Sequence, residues 1–177
     1  AQHANGAVPT TAPEYVVFEG PGMDAFAESP EWGCTFVVLP FMYYETYGDD
    51  SLIRKYYNGM RRYIDYMTTR ANDGIVSFGL GDWYDYGDFR AGFSRNTPVP
   101  LVATAHYYMV VRYLVEAARM LDNRYDVAYY THLGEEINKA FHREFYHKDT
   151  RQYGTGSQCS NALPLFLGMV PADDRQA

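Results

Sequence analysis

The sequence predicts an all-α fold of antiparallel helical hairpins, wound side by side as part of a toroid. Three observations carry that prediction. A helix that is apolar on nearly every side is followed, after a short break, by an amphipathic one. The pair then recurs at a spacing of about 60–65 residues. Inner helices of a ring touch neighbours all round, whereas outer ones face water along one side, so alternation of the two kinds is what such a ring requires.

Residues 1–28 are rich in Ala, Gly and Pro without a sustained period and read as an irregular lead-in. Ser29-Pro30-Glu31 supplies a helix start: a capping hydroxyl, proline at the first helical position and an acid at the positive end of the dipole. The helix to about Tyr47 carries Phe36, Val37, Val38, Leu39, Phe41 and Met42, which marks it as buried all round, with a kink at Pro40. Gly48-Asp49-Asp50 ends it. From Ser51 to Arg70, apolar residues at 52, 53, 56, 57, 60, 63, 64 and 67 oppose Arg54, Lys55, Asn58, Arg61, Arg62 and Asp65, an outer amphipathic helix.

Thr97-Pro98 repeats the cap-plus-proline start, and residues 98–121 form a second inner helix. Asp122-Asn123 breaks the run. The second outer helix covers 124–145, with Tyr125, Ala128, Tyr129, Leu133, Ile137, Phe141 and Phe145 on its apolar stripe. A third unit opens at Thr155-Gly156-Ser157 and continues through Asn161–Val170. The whole chain, 1–177, thus reads as one partial domain of two and a half hairpins.

Each long loop runs from an outer helix to the next inner one, so segments 13–32, 71–97 and 146–157 are expected around a single mouth. The middle segment contains Gly79-Leu-Gly-Asp-Trp-Tyr-Asp-Tyr-Gly87, whose aromatic rings and acids have no place in an ordinary polar linker. Both tryptophans of the chain map to this rim: Trp32 beside Glu31, and Trp83 beside Asp82. Sugars present hydroxyls at their edges and C–H groups on their faces, so a site for them needs carboxylates together with aromatic rings. Each candidate also has a plainer reading. The tryptophans can plug the end of the helical array, Glu31 can be a helix N-terminal charge, and Asp82 and Asp85 can be turn formers.

Other chemistry is sparse. His106 on its apolar helix reads as a hydrogen-bonded core histidine, and His142 and His147 lack an acidic or cysteine partner at metal spacing, so no metal or other cofactor is expected. Gly154-Thr-Gly-Ser157 lacks the lysine of a phosphate loop and reads as a helix entry able to make polar contacts to a ligand. Cys34 and Cys159 read as buried thiols. A net charge of −7 without a basic stripe argues against nucleic acid. No apolar run approaches the roughly 20 residues that span a bilayer. The N-terminus shows no secretory-signal pattern, which leaves the compartment open.

Ser29-Pro-Glu-Trp-Gly33, Gly79-Leu-Gly-Asp-Trp-Tyr84, Thr97-Pro98…Leu101-Val-Ala-Thr-Ala105 and Tyr153-Gly-Thr-Gly-Ser-Gln158 occur in the order and spacing of a known catalytic domain. In these segments the chain, from about residue 12 to 171, resembles the α-L-rhamnosidases of glycoside hydrolase family 78. The resemblance implies an (α/α)6 barrel with a pocket at its mouth, and cleavage of terminal α-L-rhamnose with inversion by an acid and a carboxylate about 6.5–9.5 Å apart. It implies that Trp83 and Trp32 line the rhamnose pocket with Asp82, Tyr84 and Glu31. The family's general acid sits in an Asp-x-x-x-Arg-(Asp/Glu)-Glu-Arg-x-Gly-Trp type motif before the first matched helix, and its base lies beyond the last. Neither motif is present, so the catalytic residues are unassigned here. The segment alone is expected to be inactive and to expose an apolar flank where the remainder of the domain docks.

Two other readings stand beside this one: a different glycosidase on the same toroid, and a non-catalytic helical module that binds glycan or protein. A scaffold of the latter kind has repeats of about 34–47 residues and no aromatic cluster at one end.

Overall fold

The structure, a computed structural model, describes residues 2–175 apart from the Arg90 side chain; Ala1 and residues 176–177 lie outside the described residues. Its elements follow the expected hairpin order. A one-turn helix α1 (Asp24–Ala27) closes the lead-in, followed by α2 (Pro30–Gly33) and α3 (Thr35–Tyr47), then α4 (Ser51–Arg70). The second hairpin is α5 (Val99–Met120) and α6 (Arg124–Phe145), and the third unit starts with α7 (Gln158–Phe166). Both outer helices run over the residues that their periodicity marks out.

The first inner helix departs from expectation by breaking at Cys34 into α2 and α3. Close packing accompanies the break, since a Cβ on Gly33 would lie 2.5 Å from the Tyr63 hydroxyl of α4. Pro40 sits within α3 without ending it. The two inner helices also differ in burial. α5 packs against α2, α3, α4, α6 and α7 and buries residues on most of its sides, among them Leu101, Tyr107, Val111 and Leu114. α3 buries only Val37, Pro40 and Phe41, while Leu39 and Met42 are each 55% exposed. All-round apolarity marks a helix made for neighbours on every side, and α3 has them on one. Leu165 and Phe166 of α7 are exposed as well, so both flanks of the array carry uncovered apolar side chains.

The expected stripe of α6 holds at Ile137, Phe141 and Phe145, but its first two turns are rotated. Tyr125 and Tyr129 stack on each other on the outside, ring centroids 6.4 Å apart, and the buried line is Asp126, Tyr130, Gly134, Ile137, Phe141 and Phe145. Tyrosine counts as apolar in a periodicity, yet its hydroxyl keeps it content in water. Asp126 enters the core because it is partnered. The Tyr57 hydroxyl of α4 donates to its Oδ2 at 2.6 Å, Asn123 Nδ2 donates at 2.8 Å, and Arg61 Nε lies 3.4 Å away.

The long loops carry short strands, which the all-α reading does not include. Loop 71–97 holds an Asn72–Ile75 bridge and an antiparallel hairpin of β1 (Asp85–Gly87) and β2 (Phe89–Gly92). A second ladder pairs β3 (Tyr146–His147) with β4 (Gln152–Tyr153). Strands this short carry no legible alternation. Cys34 is buried, and burial pushes its thiol up to about 12. Cys159, expected to be buried, is only partly so, since it sits at the rim in the first turn of α7 beside Asp82.

Candidate functional site

The three long loops meet at one end of the helices, as the connectivity requires. Phe26 of the lead-in packs edge-on against Trp83, with centroids 5.3 Å apart. Thr155 donates to the Asn96 carbonyl, and Thr97 and Ser157 share a hydrogen bond of 2.7 Å. Where the chain passes from each loop into the next inner helix stands a hydroxyl residue: Ser29, Thr97 and Ser157.

Glu31 and Trp32 open onto a cavity of about 460 Å³, whose walls include Gln2, Thr10, Thr35 and Leu39. That volume falls within the range of small-ligand sites, about 300–1,000 Å³. Trp32 is 37% exposed there. Glu31 is already engaged: its Oε1 accepts from the Gly81 N–H at 3.2 Å, and its Oε2 accepts from the Ser29 hydroxyl. The Ser29 Oγ in turn accepts from the Leu80 N–H at 2.9 Å. Glu31 therefore ties α2 to the aromatic loop while lining the cavity.

That loop makes its approach through glycine. At Gly79 the backbone has φ +122°, and a Cβ would lie 2.7 Å from Glu31 Oε2 and 2.8 Å from Pro30 Cδ. Asp82 follows, exposed, with its Oδ2 accepting from Thr97 Oγ1 at 3.2 Å. Trp83 is half-buried in a cluster of rings. Phe26, Phe93 and Tyr84 meet it edge-on with centroids 5.1–5.6 Å away, leaving part of the indole and most of Tyr84 in solvent. The cavity wall includes Glu31 and Trp32 but not Asp82, Trp83 or Tyr84, so the two indoles stand on neighbouring parts of the rim, joined through Glu31 and Phe26.

Asp85 has a different job from Asp82. Its carboxylate accepts from the N–H groups of Asn96 (2.6 Å), Arg95 (2.7 Å) and Tyr86 (2.9 Å), and from Asn96 Nδ2 (2.5 Å). Those donors, the Asn96 N–H foremost, hold its pKa below the ordinary carboxylate value. This is the turn-forming use of aspartate, and it pins β1 to the residues that lead into α5.

Two histidines, His106 and His142, are engaged inside the fold. His106 Nδ1 bonds the Val102 carbonyl at 2.8 Å, and His142 Nε2 bonds the Tyr153 hydroxyl at 2.8 Å. Among the described residues no cluster of three or more His, Cys, Asp or Glu side chains is placed to hold a metal. The 154–157 turn spends several of its groups within the fold: Gly154 N–H donates to the Phe145 carbonyl, Gly156 N–H donates to the Tyr153 carbonyl, and Ser157 Oγ caps Ser160 N–H at 3.1 Å. Sequence reasoning missed Ser29, Thr97, Phe26 and Phe93 as parts of the site. The recurring hydroxyl-plus-proline was visible but was read as capping, and neither Ser29 nor Thr97 caps its own helix with its side chain.

Comparison with known proteins places this arrangement. Over residues 1–177 the sequence matches the family described as bacterial alpha-L-rhamnosidase 6 hairpin glycosidase domain. An α-L-rhamnosidase of Formosa agariphila is 28% identical over 153 residues, covering 81% of this chain and 16% of that protein. Among solved structures, the α-L-rhamnosidase of Dictyoglumus thermophilum superposes with a TM-score of 0.86 at 28% identity, over 99% of this chain and 19% of that one. The α-L-rhamnosidase of Streptomyces avermitilis, solved in complex with L-rhamnose, does so with a TM-score of 0.82 at 25% identity, over 99% of this chain and 16% of that one. The chain thus spans less than a fifth of the length of these relatives, 16–19%. With the helical hairpins, the order of the loops and the family match in agreement, this chain belongs to the six-hairpin glycosidase domains of the bacterial α-L-rhamnosidases.

Proposed function

We propose that this chain supplies one wall of the sugar pocket of an enzyme that releases terminal α-L-rhamnose from glycosides with inversion, and that the general acid and base lie elsewhere in the same domain. One observation carries the reading: the Glu31–Trp32 cavity stands directly beside the tethered Asp82–Trp83 loop. In this reading Trp32, Trp83 and Tyr84 offer ring faces to the C–H groups and methyl of the deoxy sugar, and Asp82 and Glu31 accept hydrogen bonds from its hydroxyls. The activity carried in the names of the relatives supports the choice of sugar. Inversion requires the acid and base to stand about 6.5–9.5 Å apart with a water between, and no carboxylate of this chain is assigned either role.

The test is turnover by the full-length protein of a chromogenic α-L-rhamnoside, with the first-formed anomer followed by NMR. The β-anomer is expected first. Trp83→Ala should raise KM about two- to twelvefold, the worth of one aromatic contact of about 0.5–1.5 kcal/mol. Turnover of a glucoside or arabinoside but not of the rhamnoside refutes the assignment.

A further inference from the structure

The loop that presents Asp82 and Trp83 is held from two sides at Leu80, Gly81 and Asp82, just ahead of its indole. On the α2 side, buried Ser29 accepts from the buried Leu80 N–H and donates to Glu31, which receives the next N–H of the loop, that of Gly81. The carboxylate and hydroxyl fill the space that a side chain at Gly79 would need. On the α5 side, Thr97 is fully buried, and its hydroxyl donates to Asp82 and shares a hydrogen bond with the N-cap hydroxyl of α7, Ser157. Helix N-cap residues ordinarily spend their side chains on their own first turn. Ser29 makes no such bond, and Thr97 stands one residue outside the cap of α5, which is Pro98.

We propose that Ser29 and Thr97 are positioning residues of the sugar site: each sits ahead of an inner helix and fixes the loop between them, so that Asp82 and Trp83 meet the sugar in one geometry. The proposal rests on the functional reading above. Its physical basis is pre-organisation. A loop that samples several geometries binds with an affinity reduced by the fraction of time it spends in the competent one. Removing the Ser29 hydroxyl leaves the buried Leu80 N–H without its acceptor, and opening the loop to water then becomes the way to satisfy it.

The experiment uses the full-length protein with Ser29→Ala and Thr97→Val, each alone and combined with Trp83→Ala. Two quantities are measured: the Kd for L-rhamnose, and amide hydrogen exchange across residues 79–86. Each single variant should weaken L-rhamnose binding about tenfold and speed exchange in that loop, while exchange in α4 and α6 stays as in the wild type. Because both residues act through the loop, Ser29→Ala in the Trp83→Ala background should cost well under the tenfold it costs alone, the remainder being the share that Asp82 carries. The Asp82 hydrogen bond that Thr97→Val removes lies on the other side of the loop, so that variant keeps the proposal testable where Ser29→Ala folds poorly. Effects that multiply fully with Trp83→Ala, or loop exchange unchanged in both variants, overturn the proposal. A wild-type protein that binds no L-rhamnose overturns the functional reading instead, and loop exchange alone then decides whether Ser29 and Thr97 hold the loop.

Discussion

Replacing Tyr57 by Phe tests whether the two outer helices are joined through a buried carboxylate. The Tyr57 hydroxyl donates to Asp126 Oδ2 at 2.6 Å, and the Asp126 side chain is nearly inaccessible to solvent. Burial, and next the hydrogen bond to Asp126, raise the Tyr57 pKa, so the phenol stays a donor throughout the working pH range. A hydrogen bond to a charged acceptor contributes about 1.5–3 kcal/mol. Asp126 keeps Asn123 Nδ2 and the nearby Arg61 after the change, which places the expected loss at the lower end, about 1.5–2 kcal/mol. At about 1.4 kcal/mol per factor of ten, the opening equilibrium of α4 and α6 should rise some 10- to 30-fold. Hydrogen exchange on the full-length protein, read on peptides from residues 51–70 and 124–145, measures this locally and independently of other parts of the molecule. Asp126→Ala should cost at least as much, and Tyr57→Phe should add little in its presence. Exchange in both helices within twofold of the wild type would show that the carboxylate is not what binds them.

Two further outcomes are expected. Gly74 holds φ +82° in the turn after α4, and a Cβ there would lie 2.8 Å from that of Ala140 on α6, so Gly74→Ala should cost about 1–3 kcal/mol, read as faster exchange at residues 71–76. Asp85 has a folded pKa below its unfolded value, so its contribution is complete above the ordinary carboxylate value of about 3.9 and is lost as pH falls through the lower, folded one. Proteolytic or exchange protection of the β1–β2 hairpin should therefore fall below about pH 3.9, whereas Asp85→Asn should lack that acid step and expose the hairpin already at neutral pH.

The hairpin order, the two outer helices and the end at which the long loops collect were legible because each follows from local periodicity and connectivity. What stayed hidden depends on partners far along the chain. Asp126 looks like an outward charge at the start of a helix until Tyr57, 69 positions earlier, is brought against it. Ser29 next to Pro30 is indistinguishable from an ordinary cap, because the N–H it accepts belongs to Leu80, 51 positions on. The α6 stripe departs from its periodicity only in the first two turns, since tyrosine counts as apolar wherever it falls, and Tyr125 and Tyr129 use that freedom on the surface. That Glu31, Trp32, Asp82, Trp83 and Tyr84 gather where the lead-in and the middle loop meet was legible from connectivity. Their division of labour was not, because Glu31 and Asp85 reveal their bonded partners only once the loops are folded.

The tether from Ser29 to Leu80 has a temporal consequence. Local helices can form while the chain is still loose, but this bond and the Thr97–Ser157 pair join segments 51 and 60 positions apart, and such long closures come late. The indole of Trp83 meets Tyr84 and Phe93 from its own loop but Phe26 from 57 positions away, so of its three ring contacts only the last waits on a closure of that length.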